Sequence, residues 1–334
     1  MPLPSCVDYT ASIGVPELIK APQLKGGNPV SFNGRPIKYC GGFCIVYPYI
    51  VSGKKYAVRC WHANLDGAKE RTQKIARSLA EKKLPYFVNF EYISDGILTP
   101  MGLQPIVIMD WVNAHPLKEY IKEHLYDSMA LNQLASSFLQ MVKDLHQNHF
   151  SHGDLQHGNI MVKDDGQIVL VDYDSMYVPE LQGWSDEISG LEGYQHPARW
   201  ENRQLSPKAD YFSEMIIYTS LIALAEKPEL WNKLNVEDTD TMLFSAEDIK
   251  SQGKSPVFAS IEQIQPCAGL IKDIRQALQC NSIEDLRPLE SLLVSVTDEL
   301  SEQWKENGYI APPSYNKDDT EDIRNQWNNT CRTY

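Results

Sequence analysis

Apolar and polar positions are patterned most clearly between Ser151 and Asp174. Ile160-Met161-Val162 and Ile168-Val169-Leu170-Val171 are short, β-branched runs, and Asp164-Asp165-Gly166 between them is a turn signal. The pattern predicts a hairpin, with Asp154 and Asn159 before its first strand and Asp172 just after its second. Upstream, Pro36 to Trp61 is strand-like, and Ser52-Gly53-Lys54-Lys55 makes a hairpin turn inside it. Asn64 to Lys83 sets Leu65, Ala68, Ile75, Ala76 and Leu79 on one side with charges opposite, which predicts a helix. Tyr86 to Asp95 and Gln104 to Trp111 read as two further strands. A short helix begins at Leu117, and a longer one over Asn132 to His149 carries Leu134, Phe138, Met141, Val142 and Leu145 on one face. An apolar helix over Phe212 to Ala225 follows Asp210, an N-cap residue type. The stretch 230–300 reads as helices with loops. Residues 1–35 are rich in Pro and Gly and read as an arm with one short helix near Pro16 to Lys20. Residues 301–334 read as a polar tail.

An aspartate, an amide and a second aspartate at one end of a hairpin suit oxygen-seeking Mg²⁺. They also leave one carboxylate able to accept a hydroxyl proton. His152-Gly153-Asp154-Leu155-Gln156-His157-Gly158-Asn159 resembles the protein-kinase catalytic loop H-R-D-L-x-x-x-N. Asp172-Tyr173-Asp174, 18 residues after Asp154, resembles the D-F-G motif. In the first half, Ala57-Val58-Arg59 resembles the A-I-K of V-A-I-K. Aligned on Val46, Gly41 stands at the middle glycine of G-x-G-x-x-G-x-V, beside Gly42, while Tyr39 and Cys44 replace the outer glycines. Met109-Asp110-Trp111-Val112-Asn113 resembles the kinase hinge.

The resemblance implies an α+β, bilobal protein-kinase-like fold, with a β-rich N-lobe at 36–112 and a mainly helical C-lobe at 113–300. It implies ATP and Mg²⁺ as cofactors. Asp154, Asn159 and Asp172 would be catalytic, with Asn159 and Asp172 on the metal. Val46 and Ala57 would roof the adenine, Met109 would stand behind it, and Val112 would lend backbone hydrogen bonds. Arg59 would meet the phosphates with Glu70 as its ion-pair partner, below the Gly41-Gly42 turn. Ser175 to Pro197 matches an activation segment, closed by Tyr194-Gln195-His196-Pro197 with Ala198 where Glu is usual. Asp210 would brace the catalytic loop, and Arg287 falls near the late arginine of the fold.

Three departures shape the functional reading. Arg59 stands for Lys, and Arg is longer, planar and bidentate. Gly153 stands for the arginine that anchors a phosphorylated segment, so activity is expected without phosphorylation of Ser175, Ser185 or Ser189. Gln156 stands for the loop lysine. H-G-D-L loops also occur in small-molecule kinases. The whole pattern looks most like bacterial Ser/Thr-kinase-like proteins, some of which accompany phosphatase and von Willebrand factor A modules. Three readings therefore stand. One is a Ser/Thr protein kinase acting on a protein substrate. The others are a catalytically weak or inactive pseudokinase acting as a scaffold, and a small-molecule kinase.

Composition narrows the field. The 31 Lys and Arg against 44 Asp and Glu give a net charge of −13, which argues against nucleic acid or an anionic membrane as partner. Seven scattered cysteines show no disulfide framework and point to a reducing, cytoplasmic setting. The N-terminus lacks a signal-peptide pattern, and the longest apolar run, Met215 to Ala225, is too short to span a bilayer. His146, His149, His152 and His157 lie close in sequence but complete no zinc-ligand pattern.

Overall fold

The period-2 alternation of two strands decides how the upper half of the protein is built. In the computed structural model, β1 (Asn28–Pro29), β2 (Ser31–Phe32), β3 (Arg35–Pro36) and β4 (Tyr39–Cys40) are short. They lead into β5 (Cys44–Val51) and β6 (Lys54–Trp61), which pair antiparallel with Val46 opposite Arg59 and Tyr47 opposite Val58. Successive side chains of a strand point to opposite faces. Ile45, Tyr47, Tyr49, Val58 and Cys60 therefore enter one core, while Cys44, Val46, Ala57 and Arg59 face the other way, into a cleft. β7 (Phe90–Thr99) and β8 (Gly102–Asp110) complete a sheet of order β1-β5-β6-β8-β7, with β4 on β5. The structure describes residues 3–63, 67–188, 190–201 and 203–293. Asn64, Leu65, Ser189 and the tail 301–334 lie outside the described residues.

The core face of the sheet is closed by the N-terminal segment. Tyr9, Ile13, Ile19, Ala21 and Leu24 pack against the sheet residues just named. The expected short helix at Pro16 is a single 3₁₀ turn, Pro16–Leu18. The true helix, α1 (Cys6–Ile13), lies earlier and is started by a capping box in which Ser5 and Asp8 satisfy each other's backbone amides. Its buried Tyr9, Ser12 and Ile13 are spaced three and four apart, as one helix face requires. α2 (Ala68–Lys82) precedes β7. Its buried side is Arg71, Thr72, Ile75, Ser78 and Leu79, so a charged residue shares the apolar stripe.

The lower half begins with β9 (His115–Pro116), α3 (Leu117–Glu123) and α4 (Ser128–Gln147). The expected hairpin forms β10 (Ile160–Val162) and β11 (Ile168–Leu170), with Ile160 opposite Leu170. α5 (Tyr211–Glu226) is buried on nearly every side, as an apolar helix at the centre of a domain must be. α6 (Leu230–Lys233), α7 (Ala246–Lys250), α8 (Pro256–Glu262) and α9 (Ala268–Ala277) follow.

One polar cluster sits inside this helical half. His146 on α4 bonds Glu214 on α5 at 2.9 Å and Glu290 at 3.0 Å, with the Tyr211 ring 4.6 Å away. Burial opposes the charge on His146, but the two carboxylates outweigh it and lift its pKa from 6.5 to about 9. Burial also raises Glu214 from 4.5 to about 7, with His146 opposing and Asp210 and Glu290 adding to the rise. Both folded-state values lie above the unfolded ones. Both contributions are therefore complete at low pH and are lost as pH rises through the folded values. Glu214 loses its share between pH 4.5 and 7, and His146 between 6.5 and 9. Melting curves should show the protein losing up to about 3 kcal/mol from His146 across its window. His146→Gln should flatten that slope above pH 7; an unchanged slope contradicts the assignment.

Candidate functional site

The loop before β10 is held from beneath. Asp210 does not cap α5 with its side chain. Its carboxylate instead accepts the backbone amides of His152 and of Gly153, the latter at 3.0 and 3.1 Å. His152 lies within hydrogen-bond distance, 2.9 Å, of the Val171 carbonyl, which ties the loop to the end of β11. Gly153 has φ +78°, and a Cβ there would lie 2.1 Å from the Ser175 carbonyl oxygen. The missing arginine at this position is thus a requirement of the backbone path.

On this base Asp154, Asn159 and Asp172 come together. The Asn159 side-chain amide donates to the Asp154 carbonyl at 2.8 Å and to its carboxylate at 3.0 Å. That spends the nitrogen of Asn159 and leaves its amide oxygen without a partner among the described residues. Asp172 has φ +65°, a left-handed conformation that a non-glycine residue holds only under constraint. Its side chain is about half exposed to the cleft. Burial raises the pKa of Asp154 above the usual carboxylate range; the nearby His152 and the Leu191 amide work the other way.

Asn159 and Asp172 line a cleft of about 510 Å³, and Asp154, bonded to Asn159, stands outside its lining; the volume is within the size range of small-molecule sites. Val46 and Ala57 form its roof side, Met161 and Val171 its floor side, and Val88 and Met109 also line it. Asp110, Trp111 and Val112 edge it, and the backbone of Val112 has no partner among the described residues. Lys55 sits over the Trp111 ring at 3.7 Å. Tyr39, Cys40 and Gly41 stand at the mouth. Gly42, expected beside the cofactor, is instead at the exposed tip of the β4–β5 turn and does not line the cleft.

The Arg59–Glu70 pair does not form. Glu70 is on the outer side of α2, 64% exposed, and pairs with Lys74 one turn on. Arg59 is 3% exposed and is held by Asp172 at 3.0 Å and by Asp174. Its Nε donates to Cys44 Sγ at 2.9 Å. Burial pushes the Cys44 thiol up to about 11, and burial likewise raises Asp174, with Arg59 pulling both back. Asp174 is the residue that sequence reasoning passed over. The signal was there, since it occupies the glycine position of D-F-G.

Tyr173 occupies the phenylalanine position and uses its extra hydroxyl. The buried OH donates to the Leu170 carbonyl at 2.8 Å and accepts the Val88 amide at 3.1 Å. The ring meets Phe87 edge-on and Phe90 at a tilt. The hydroxyl therefore stitches the motif to the back wall of the cleft. Tyr173→Phe strands a buried amide, which costs about 1–3 kcal/mol. Calorimetry should show a melting temperature lower by several degrees, at roughly 2–4 °C per kcal/mol for a domain of this size.

The segment after the motif returns over the loop. The Leu191 amide donates to Asp154 Oδ1 at 2.8 Å, between Gly190 (φ +74°) and Gly193 (φ +90°). The segment's two ends are joined by a buried ion pair, Arg199 to Asp186 at 2.8 Å, with Gln195 on the same guanidinium. Arg71 reaches from α2 toward the Ser185 and Met176 carbonyls, at 3.4 and 3.5 Å. Ser175 is buried and Ser185 is exposed. Arg287, expected at a family ion pair, bonds the Ser291 carbonyl. Of the four histidines, His157 meets the Tyr194 hydroxyl at 2.8 Å, and burial drives its pKa down to about 4. His149 sits at φ +55° just past α4.

A sheet lobe, a helical lobe and an Asp-Asn-Asp cluster beneath a cleft define a phosphotransferase architecture of the kinase type. The protein kinase domain family matches residues 40–282, and the chain belongs to that family. No curated protein matches the chain. Membership supports phosphoryl transfer in general and a protein as acceptor. Among the described residues no helix is long and apolar enough to cross a membrane.

Proposed function

We propose that the protein transfers the γ-phosphoryl group of ATP to Ser or Thr hydroxyls of a protein substrate. The observation that carries this reading is that Asn159 and Asp172 line the cleft while Asn159 bonds Asp154 beside it. Val46, Ala57 and Met109 would enclose the base, and the unpartnered Val112 backbone would bond its edge. The donor set fits Mg²⁺, because the Asn159 amide oxygen and the Asp172 carboxylate are hard oxygen ligands open to the cleft. A bound Mg²⁺ would neutralise the phosphates and the charge that develops on them. Asp154, aimed by Asn159, would accept the hydroxyl proton through its carboxylate. Arg59 would offer a guanidinium to the phosphates. The lobes would divide at residues 112 and 113, with a phosphatase or a von Willebrand factor A module as a further candidate partner.

A second reading, a binding module of weak or no turnover, draws on the Leu191 amide, which already occupies one oxygen of Asp154. Labelled-ATP transfer decides between them. The kinase reading expects label on Ser or Thr of the protein or of added acceptors, abolished in Asp154→Ala. Nucleotide binding without transfer favours the module. Transfer only to an added metabolite favours a small-molecule kinase.

A further inference from the structure

Among the described residues lining the cleft is the cation Arg59, and three contacts fix it. Nη2 lies against both Asp172 and Asp174, and Nε donates to Cys44 Sγ at 2.9 Å. Those bonds use two of the three guanidinium nitrogens. Nη1 makes no hydrogen bond among the described residues, yet is not sealed off like the orphaned atoms of the interior. Arg59, 3% exposed, thus lines the cleft with one guanidinium nitrogen unbonded among the described residues. Asp172 is half exposed and serves the metal side of the proposed reaction. Asp174, 12% exposed, is committed to the guanidinium. A buried charge survives only when it is paired and hydrogen-bonded, and Glu70 lies on the wrong side of α2 to do this.

We propose that Asp174 is the positioning residue of the nucleotide site: with Cys44 it clamps Arg59 so that Nη1 points at the phosphates, and the acid on α2 takes no part. The proposal rests on the reading of the cleft as an ATP site. A fork is needed for this geometry. One guanidinium can bond Asp174, the Cys44 thiol and a phosphate through three different nitrogens, whereas a lysine ammonium is a single point charge. The family's usual lysine would therefore serve this particular site worse than Arg59.

The test compares wild type, Asp174→Asn and Glu70→Gln in ¹⁵N-labelled full-length protein. The first readout is the Arg59 Nε–H resonance, slow to exchange with water when the guanidinium is clamped. The second is calorimetric affinity for Mg·ATP. The proposal expects the exchange rate to stay unchanged in Glu70→Gln and to rise in Asp174→Asn, where the Cys44 and Asp172 contacts alone remain. It expects affinity unchanged in the first variant and weakened about tenfold or more in the second, or about 1.4 kcal/mol. A wild-type exchange rate in Asp174→Asn, or a raised one in Glu70→Gln, overturns it. Should Asp174→Asn not fold, Arg59→Lys carries the test: about tenfold weaker binding is expected, and wild-type affinity contradicts the clamp. If wild type binds no nucleotide, the ATP reading fails, and the resonance still decides what holds Arg59.

Discussion

Asp154→Asn should lower phosphoryl transfer about 10²–10⁴-fold, the usual worth of a positioned general base, and leave Mg·ATP binding unchanged. The substitution keeps the shape of the side chain and removes its ability to take a proton. Asp154 is suited to that task in two ways. The Asn159 amide fixes the carboxylate, and burial lifts its pKa toward neutrality. The raised value places the acid limb of the rate profile above that of an ordinary aspartate. Steady-state turnover and calorimetric affinity, measured on the same preparations, check the split. If affinity falls with turnover, Asp154 holds the metal and is not the base.

Gly153→Arg, which restores the family's letter, should damage the protein. The residue sits at φ +78°, and its Cβ would stand 2.1 Å from a backbone oxygen. A left-handed non-glycine costs about 1–2 kcal/mol, and overpacking a further 1–3. Denaturant titration should show a loss of about 2–5 kcal/mol, with the smaller Gly153→Ala shifted in the same direction. Stability equal to wild type would mean that the Ser175 carbonyl yields easily and that Gly153 has another reason to be there.

The hairpin was readable because its information is local. Two β-branched runs and an Asp-Asp-Gly turn specify β10 and β11, and antiparallel pairing, with Ile160 opposite Leu170, then brings the entry of the hairpin and its exit to one end. The cleft wall came from the resemblance instead, which set Val46, Ala57 and Arg59 together; the three share a face of β5 and β6. What sequence could not supply was partnership across long separations. Glu70 and Asp174 are both acids available to Arg59, and only the rotation of α2, which turns Arg71 inward and Glu70 outward, chooses between them. Asp210 is the exception: the resemblance set it against the loop before β10, and its carboxylate accepts that loop's amides 57 residues away, while the cap that its place before a helix suggests does not form. α1 was missed for a different reason: its signal is a four-residue capping box inside a Pro-rich arm, too short to raise a periodic pattern.

The most direct measurement is a calorimetric titration of ATP into wild type and Asp172→Asn, each with and without Mg²⁺. The kinase reading, in which Asn159 and Asp172 would hold a divalent cation together with a triphosphate, predicts tight binding in wild type with Mg²⁺. It also predicts a large loss on removing either the metal or the Asp172 carboxylate. Equal affinity in all four titrations, or no binding in any of them, would contradict the account.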